Sequence, residues 1–140
     1  VQSQQWLKEL FSQLETIQQE PQNAAYEGCT FTVEGISYRS RLAKRTPKKA
    51  GYFVAFWEKD AAGVNQAFYA NSSPDYLLIF TEDGDYFSFP RAALLALGVV
   101  QTATKAGKMA MRVYPPHEQG LNKTATITQR KQAPYYKKRR

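Results

Sequence analysis

The apolar positions of this chain fall into one helical pattern near the start, a run of strand patterns, and a weaker helical pattern near the end. Trp6, Leu7, Leu10, Phe11, Leu14 and Ile17 recur at spacings of three and four, with Lys8, Glu9, Gln13 and Glu15 between them. That spacing predicts one amphipathic helix over residues 5–18. Glu20-Pro21-Gln22-Asn23 ends it, and the period then drops to two. Cys29–Val33 and Ile36–Leu42 predict a hairpin closed by Glu34-Gly35, with Gly where positive φ is needed. Pairing Val33 with Ile36 puts Phe31 opposite Tyr38 and Cys29 opposite Ser40 on an apolar face. Thr30, Thr32, Ser37, Arg39 and Arg41 are left on the other.

Residues 43–51, AKRTPKKAG, predict a basic loop: Pro47 keeps Thr46 extended and Gly51 releases the chain into the next strand. Residues 52–57 lack polar alternation, as in a strand covered on both faces. Turn material over 58–73 surrounds the short apolar patch Ala67-Phe68-Tyr69. Tyr76–Phe80 is a second continuous apolar strand, and Asp83-Gly84 predicts a tight turn that pairs Phe80 with Phe87 and Leu78 with Phe89. Pro90 opens a helix over 90–97 and Gly98 lies just past its end. Over 109–114, Met109, Met111 and Val113 face one way and Lys108, Ala110 and Arg112 the other. Pro115-Pro116 stops that strand, a last helix is predicted over 122–133, and residues 137–140, KKRR, read as a frayed basic tail. No repeat or linker divides the chain, so the expectation is one domain over 1–136 followed by that tail.

Composition adds that the chain can build its own core: 140 residues, 43% hydrophobic and 14% aromatic. Cys29 is the only cysteine, which excludes an internal disulfide and predicts a buried, inert thiol. No apolar run approaches the roughly 20 residues that span a bilayer, and no signal-peptide pattern is visible, so a cytoplasmic protein without membrane contact is expected. The net charge of +7 is unevenly spread. Basic groups dominate residues 36–57 and 99–140, and acidic groups dominate 1–35 and 58–98. Two basic blocks separated by acidic ones point to a polyanion partner.

Arg39 and Arg41 share one face of a predicted strand, and Lys108 and Arg112 share one face of another. If those strands adjoin, the four heads converge. Lys44, Arg45, Thr46 and Lys49 on the predicted loop and Arg130 with Lys131 on the last helix then widen the patch, giving a surface for the phosphates of DNA or RNA. Tyr38, Tyr52, Trp57 and Tyr114 are interleaved with these charges and suit base stacking, although core packing competes for Tyr38 and Trp57. A second reading has Lys44, Thr46, Lys49 and Arg112 line a pocket for one small anion, or belong to a protein-interaction module. Other constellations are missing: His117 is the only histidine, so a zinc site lacks ligands. Neither a Gly-x-Ser-x-Gly elbow nor a phosphate-binding glycine loop occurs. No cofactor is implied.

The run Ala43-Lys44-Arg45-Thr46-Pro47-Lys48-Lys49-Ala50-Gly51, followed by Tyr52-Phe53-Val54-Ala55-Phe56-Trp57, resembles the MepB-like family. Phe89-Pro90, the run Gly107-Lys108-Met109-Ala110-Met111-Arg112-Val113-Tyr114-Pro115, and Gln129, Gln132 and Tyr135 follow in order, so the resemblance covers about 26–136. It implies an α/β single domain with a central mixed sheet flanked by helices, similar to the core of type II restriction endonucleases, in a bacterial nucleic-acid-binding protein without established catalysis. A divergent magnesium or manganese nuclease is the alternative, and it requires paired carboxylates near a lysine. Pro74-Asp75 supplies half of that pattern, but Glu82-Asp83-Gly84 lacks a lysine two residues after an acid, and Glu58-Lys59 has the wrong spacing. The positions where the resemblance would place metal ligands hold Arg39, Arg41 and Lys44. The expectation is therefore a metal-free anion surface, with Glu27, Glu58 and Asp75 as the acids left for any metal site.

Overall fold

The computed structural model describes residues 2–140. Helix α1 (Gln2–Leu10) buries Trp6 and Leu7, and the chain then turns extended into strand β1 (Glu15–Gln19), so the helix expected over 5–18 is two elements. Leu10, Phe11 and Leu14 pack against the same cluster as Trp6 and Leu7. Their spacing reflects one shared burial, not one continuous helix. Thr16 adopts a left-handed φ of 51° where the register of β1 shifts, and Ile17 faces solvent.

β2 (Cys29–Val33) and β3 (Ile36–Leu42) form the expected hairpin, in the expected register. The segment read as a basic loop is instead a second hairpin, β4 (Lys44–Thr46) and β5 (Lys49–Ala55), turning on Pro47-Lys48 with Thr46 opposite Lys49. Proline suits such a turn, because its φ is preset and the N–H it lacks is not needed there. A short ribbon follows, β6 (Glu58–Lys59) with β7 (Asn65–Gln66). β8 (Tyr76–Phe80) and β9 (Tyr86–Pro90) pair one residue away from expectation, Phe80 with Tyr86 and Ile79 with Phe87. The connection explains the shift: the Asp83 carboxylate accepts from Thr81 Oγ1 and the Asp85 N–H, widening the turn beyond two residues.

α2 (Arg91–Ala96) starts after Pro90 as its N-cap, and β10 (Ala110–Val113) follows a long connection. α3 (Lys123–Gln132) is capped by Asn122, whose side chain accepts from the Ala125 N–H. Strand β11 (Tyr136–Lys137) pairs with β9. The end of the chain is held beyond it, since the Arg139 N–H donates to Asp85 and its guanidinium reaches Glu9 over the Trp6 ring. This corrects the expected frayed tail.

The main sheet has six strands in the order β1-β2-β3-β8-β9-β11 and is mixed, with β3 and β8 parallel. A three-stranded sheet, β10-β5-β4, forms a separate layer. One face of the main sheet (Cys29, Phe31, Leu78, Phe80) packs on α1 through Trp6 and Leu7. The other (Leu77, Ile79, Phe87, Phe89) packs on Tyr52, Val54 and Val113 of the small sheet and on Ala93 and Leu94 of α2. The chain is thus a single-domain α/β structure with a mixed central sheet and few helices. No helix among the described residues is long and apolar enough to cross a membrane.

Candidate functional site

Of the first pair of expected phosphate contacts, Arg41 is buried and Arg39 is half-buried, both engaged by internal acids. Arg39 and Arg41 project from β3 to the same side, but that side faces the second layer. The Arg41 side chain is 0% exposed: Nη1 donates to Glu20 Oε1 at 2.6 Å and to the Ser40 carbonyl, and Nε donates to Asn23 Oδ1 and the Ala55 carbonyl. Burial pulls this guanidinium below its ordinary pKa, and Glu20 opposes that shift. Gly28 leaves the room, because a Cβ there would lie 3.0 Å from Arg41 Nη1. Arg39 bridges Glu20 at 3.4 Å and Glu58 at 3.2 Å and lies over the Phe68 ring at 4.4 Å. Nor are β3 and β10 neighbours, since they belong to different sheets. The four heads of Arg39, Arg41, Lys108 and Arg112 therefore do not converge.

Arg45 is intermediate. Its side chain is 44% exposed, yet Nη1 and Nη2 grip both oxygens of Glu118 at 2.7 and 3.0 Å, and the guanidinium lies 4.3 Å from the Tyr52 ring centre. Glu118 also accepts from the Gly51 N–H at 3.0 Å. Gly51 has φ +80°, and a Cβ there would lie 2.5 Å from Tyr114 Cδ1, so the clasp needs glycine.

Lys44, Lys49 and Arg112 lie on the outer face of the small sheet. Lys44 on β4 and Arg112 on β10 both stand opposite Phe53 on β5, which gives a row of cation, aromatic and cation across the three strands. Arg112 is fixed by its own sheet: Nε donates to the Ala50 carbonyl at 3.1 Å, and Nη2 donates to Thr46 Oγ1 and the Ala50 carbonyl, both at 2.9 Å. Neither Arg112 nor Lys44, Lys48, Lys49 or Lys108 forms an ion pair among the described residues. Three hollows meet at Arg112. One of about 350 Å³ lies between the β4–β5 turn (Lys48, Lys49) and the start of α3 (Asn122, Thr124). A second of about 300 Å³ runs along β10 past Lys108, Tyr114 and Thr128. The third, about 510 Å³, lies over Thr46, Pro47 and Phe53 beside Lys48 and Lys49. No Asp or Glu lines any of the three.

Of the expected residues, Lys44, Thr46, Lys49, Lys108 and Arg112 therefore share one face, Arg45 lies at its margin, and Arg39 and Arg41 belong to the interior. Arg130 is exposed on α3 but lines none of the hollows. α3 is tied to the open edge of β10 by Gln132, whose amide accepts from the Tyr114 N–H and donates to the Arg112 carbonyl, as a neighbouring strand would. Gln129 donates to the Pro115 and Glu118 carbonyls. Lys48 and Phe53 were absent from the expected site. The signal for Phe53 was an aromatic out of phase with the buried Tyr52 and Val54, visible only once both strands flanking β5 are known.

The aromatic candidates divide similarly. Tyr38 stacks between Phe31 and Tyr76, and buried Tyr52 reaches Glu82, with its hydroxyl pushed up to about 12 by burial above all. Trp57 is half-buried beneath Lys59 Nζ, 5.4 Å from its ring centre, and lines none of the three hollows, whereas Tyr114 lines two of them. The three acids considered for a metal are separately engaged: Glu27 accepts from Ser3, Glu58 pairs with Arg39, and Asp75 accepts from Ser37 and bridges Arg91. No three His, Cys, Asp or Glu side chains gather as a ligand group among the described residues. Cys29 is buried, as expected, and burial raises its thiol pKa to about 11.

Fold and site together define a single-domain α/β protein with a mixed central sheet, whose small second sheet carries three hollows lined by no Asp or Glu. The chain belongs to the MepB-like family, whose profile matches residues 20–138. The crystal structure of MepB is 42% identical, covering 99% of this chain and 97% of that one, with a TM-score of 0.87. A bacterial homing endonuclease is 18% identical over 76% of this chain and 77% of its own, with a TM-score of 0.42. No curated protein matches the sequence.

Proposed function

We propose that this protein binds nucleic acid in the cytoplasm without cutting it, holding phosphates on the outer face of the small sheet. The observation that carries the reading is the set of three hollows meeting at Arg112, lined by Lys48, Lys49 and Lys108 and by no carboxylate. Unpaired cations that share a face attract a polyanion, and their contacts release condensed counterions. Arg112 is held by backbone carbonyls instead of an acid, so its charge is positioned but not neutralised. Its Nη1 has no partner among the described residues and remains free to donate.

The test is a titration of short fluorescent DNA and RNA oligonucleotides at two salt concentrations. With four phosphates contacted, affinity for a single strand falls roughly fifty-fold between 50 and 200 mM salt. Replacing Lys48 and Lys49 together by Glu abolishes measurable binding, while Lys8→Glu on the exposed side of α1 leaves it unchanged. Absent or salt-insensitive binding defeats the reading. Thermal stabilisation by sulfate but by no oligonucleotide assigns the face to a small anion. Metal-dependent cleavage of plasmid or single-stranded DNA, lost in Glu58→Gln or Asp75→Asn, makes the protein a nuclease.

A further inference from the structure

We infer that helix α3 is a hinged wall of two of the hollows, leaving β10 as a unit while both sheets stay folded, and that Gln132 is its latch. The inference concerns how these hollows open and does not depend on what enters them. Asn122, Thr124 and Ala125 wall the hollow beside Lys48 and Lys49, and Thr128 and Gln132 wall the one along β10. Yet the helix is scarcely part of the core. Gln132 is its one buried side chain, none of its residues joins either apolar cluster, and Ile127 is 45% exposed.

What holds α3 down is therefore polar. Gln132 accepts from the Tyr114 N–H at 2.9 Å and donates to the Arg112 carbonyl at 3.0 Å, and Gln129 donates to the Pro115 and Glu118 carbonyls. Water replaces each of these partners once the helix lifts, so each bond contributes little net, whereas apolar contacts like those that fix β5 and β8 have no substitute in water. The helix is also weak in its own right. Thr124, Thr126, Ile127 and Thr128 are β-branched, the hydroxyls of Thr126 and Thr128 donate back to the Asn122 and Thr124 carbonyls, and Lys123 sets its charge at the positive end of the helix dipole. A helix of 10 residues is too short to persist in water once detached, so release from β10 and loss of the helix are one event. The flanks permit it: Gly120, at φ +77°, precedes the helix, and beyond Pro134 the Tyr135 and Tyr136 rings stay packed on Phe89 and Phe87. With α3 off, the two hollows lose the wall they share at Thr128, and the Arg112 carbonyl loses the bond that steadies its strand. The latch thus sets access to this part of the face.

Amide hydrogen exchange of the full chain, resolved residue by residue by NMR, tests this. The Tyr114 N–H reports the latch, the Thr126 N–H, bonded to the Asn122 carbonyl at 2.9 Å, reports the helix, and the Val54 N–H on the central strand of the small sheet reports global unfolding. Tyr114 and Thr126 are expected to be protected equally, and at least about a hundredfold less than Val54. Low urea should leave their protection nearly unchanged while that of Val54 falls, because lifting one short helix exposes little surface. Gln132→Met, which keeps the length of the side chain and loses the amide, should lower protection of Thr126 roughly five- to tenfold. Ile79→Val in the core should lower protection of Val54 and leave Thr126 and Tyr114 as they were. Tyr114 and Thr126 as protected and as urea-sensitive as Val54 would show that α3 opens only with the whole molecule, and overturns the inference. Fast exchange at Thr126 with slow exchange at Tyr114 also overturns it, since the helix then frays without leaving β10. A Gln132→Met variant that fails to fold, or that leaves Thr126 unchanged, removes the latch. No ligand is used, so none of these outcomes bears on the phosphate reading.

Discussion

Strands β3 and β10 carry the same message in sequence and come to opposite ends. Each sets its basic residues in phase, on one side: Arg39 and Arg41 on β3, and Arg112 on β10 in phase with Lys108 just before the strand. On β3 that side meets Glu20 and Glu58, and Arg39 and Arg41 become part of the interior. On β10 it meets the backbone of the β4–β5 hairpin, and Arg112 keeps its charge facing outward. Alternation sets the side of a strand a residue takes, whereas the partners on that side set whether a cation there is structural or available.

The largest effect expected from this contrast lies at Arg41. Removing one member of a buried, hydrogen-bonded ion pair leaves the other charged and unpaired, which costs about 3–5 kcal/mol. Glu20→Ala, which leaves Arg41 without an acid, should lower stability in urea by that order, and Arg41→Ala by about 3 kcal/mol, the lower end of it, because Glu20 keeps Arg39 at 3.4 Å. Replacing the two together by Met and Leu should cost less than either single change, because no stranded charge remains. Arg39→Met should leave oligonucleotide affinity within about twofold, since that guanidinium already serves two internal acids. Single variants that cost under about 1 kcal/mol would erase the distinction between the strands.

The sequence carried the local half of this distinction. The β2–β3 hairpin and its register followed from Glu34-Gly35 and the alternation around it, and α2 from Pro90 and Gly98, while the last helix, expected over 122–133, forms over Lys123–Gln132. What failed depended on contacts distant along the chain. Leu14 extends the helical spacing of Trp6 and Leu10 only because β1 and α1 border the same cluster. Arg41 finds Glu20 21 residues away, and Arg45 finds Glu118 at a separation of 73. No periodicity encodes such pairings. Lys49, Lys108 and Arg112 form no ion pair among the described residues, so strand alternation alone was enough to place them on one face.

A middle-sized effect separates structure from binding at Arg112. Its guanidinium ties Thr46 and Ala50 to β10, but those groups lie near solvent, so Arg112→Ala should cost about 1 kcal/mol, well below the cost at Arg41. The same change should weaken oligonucleotide binding at least tenfold and make its salt dependence shallower by about one phosphate contact. Arg112→Lys keeps the charge but not the fork of donors, and should recover part of the affinity with little of the fixed geometry. A stability loss as large as that of Arg41→Ala, without a change in the salt slope, would move Arg112 into the structural class.

The smallest effect concerns Arg45, which stands between the two extremes. Glu118 clasps the β4–β5 hairpin by accepting from Arg45 and from the Gly51 N–H. The Arg45 hydrogen bond, more than any other cause, holds the Glu118 carboxyl below its ordinary pKa. A group whose folded value is depressed binds protons more readily when unfolded, so its contribution is complete above the ordinary glutamate range, near about pH 4.3, and fades as pH falls through the lower folded value. Solvent around Arg45 screens the pair, so the contribution is modest. Urea midpoints of the unaltered protein and Glu118→Gln should therefore differ most at neutral pH and draw together as pH falls below the ordinary glutamate range. Asp75 and Asp83 are also held low but titrate alike in both proteins, so they cancel from the comparison. A gap that persists undiminished into acid would mean that the charge on Glu118 does no holding.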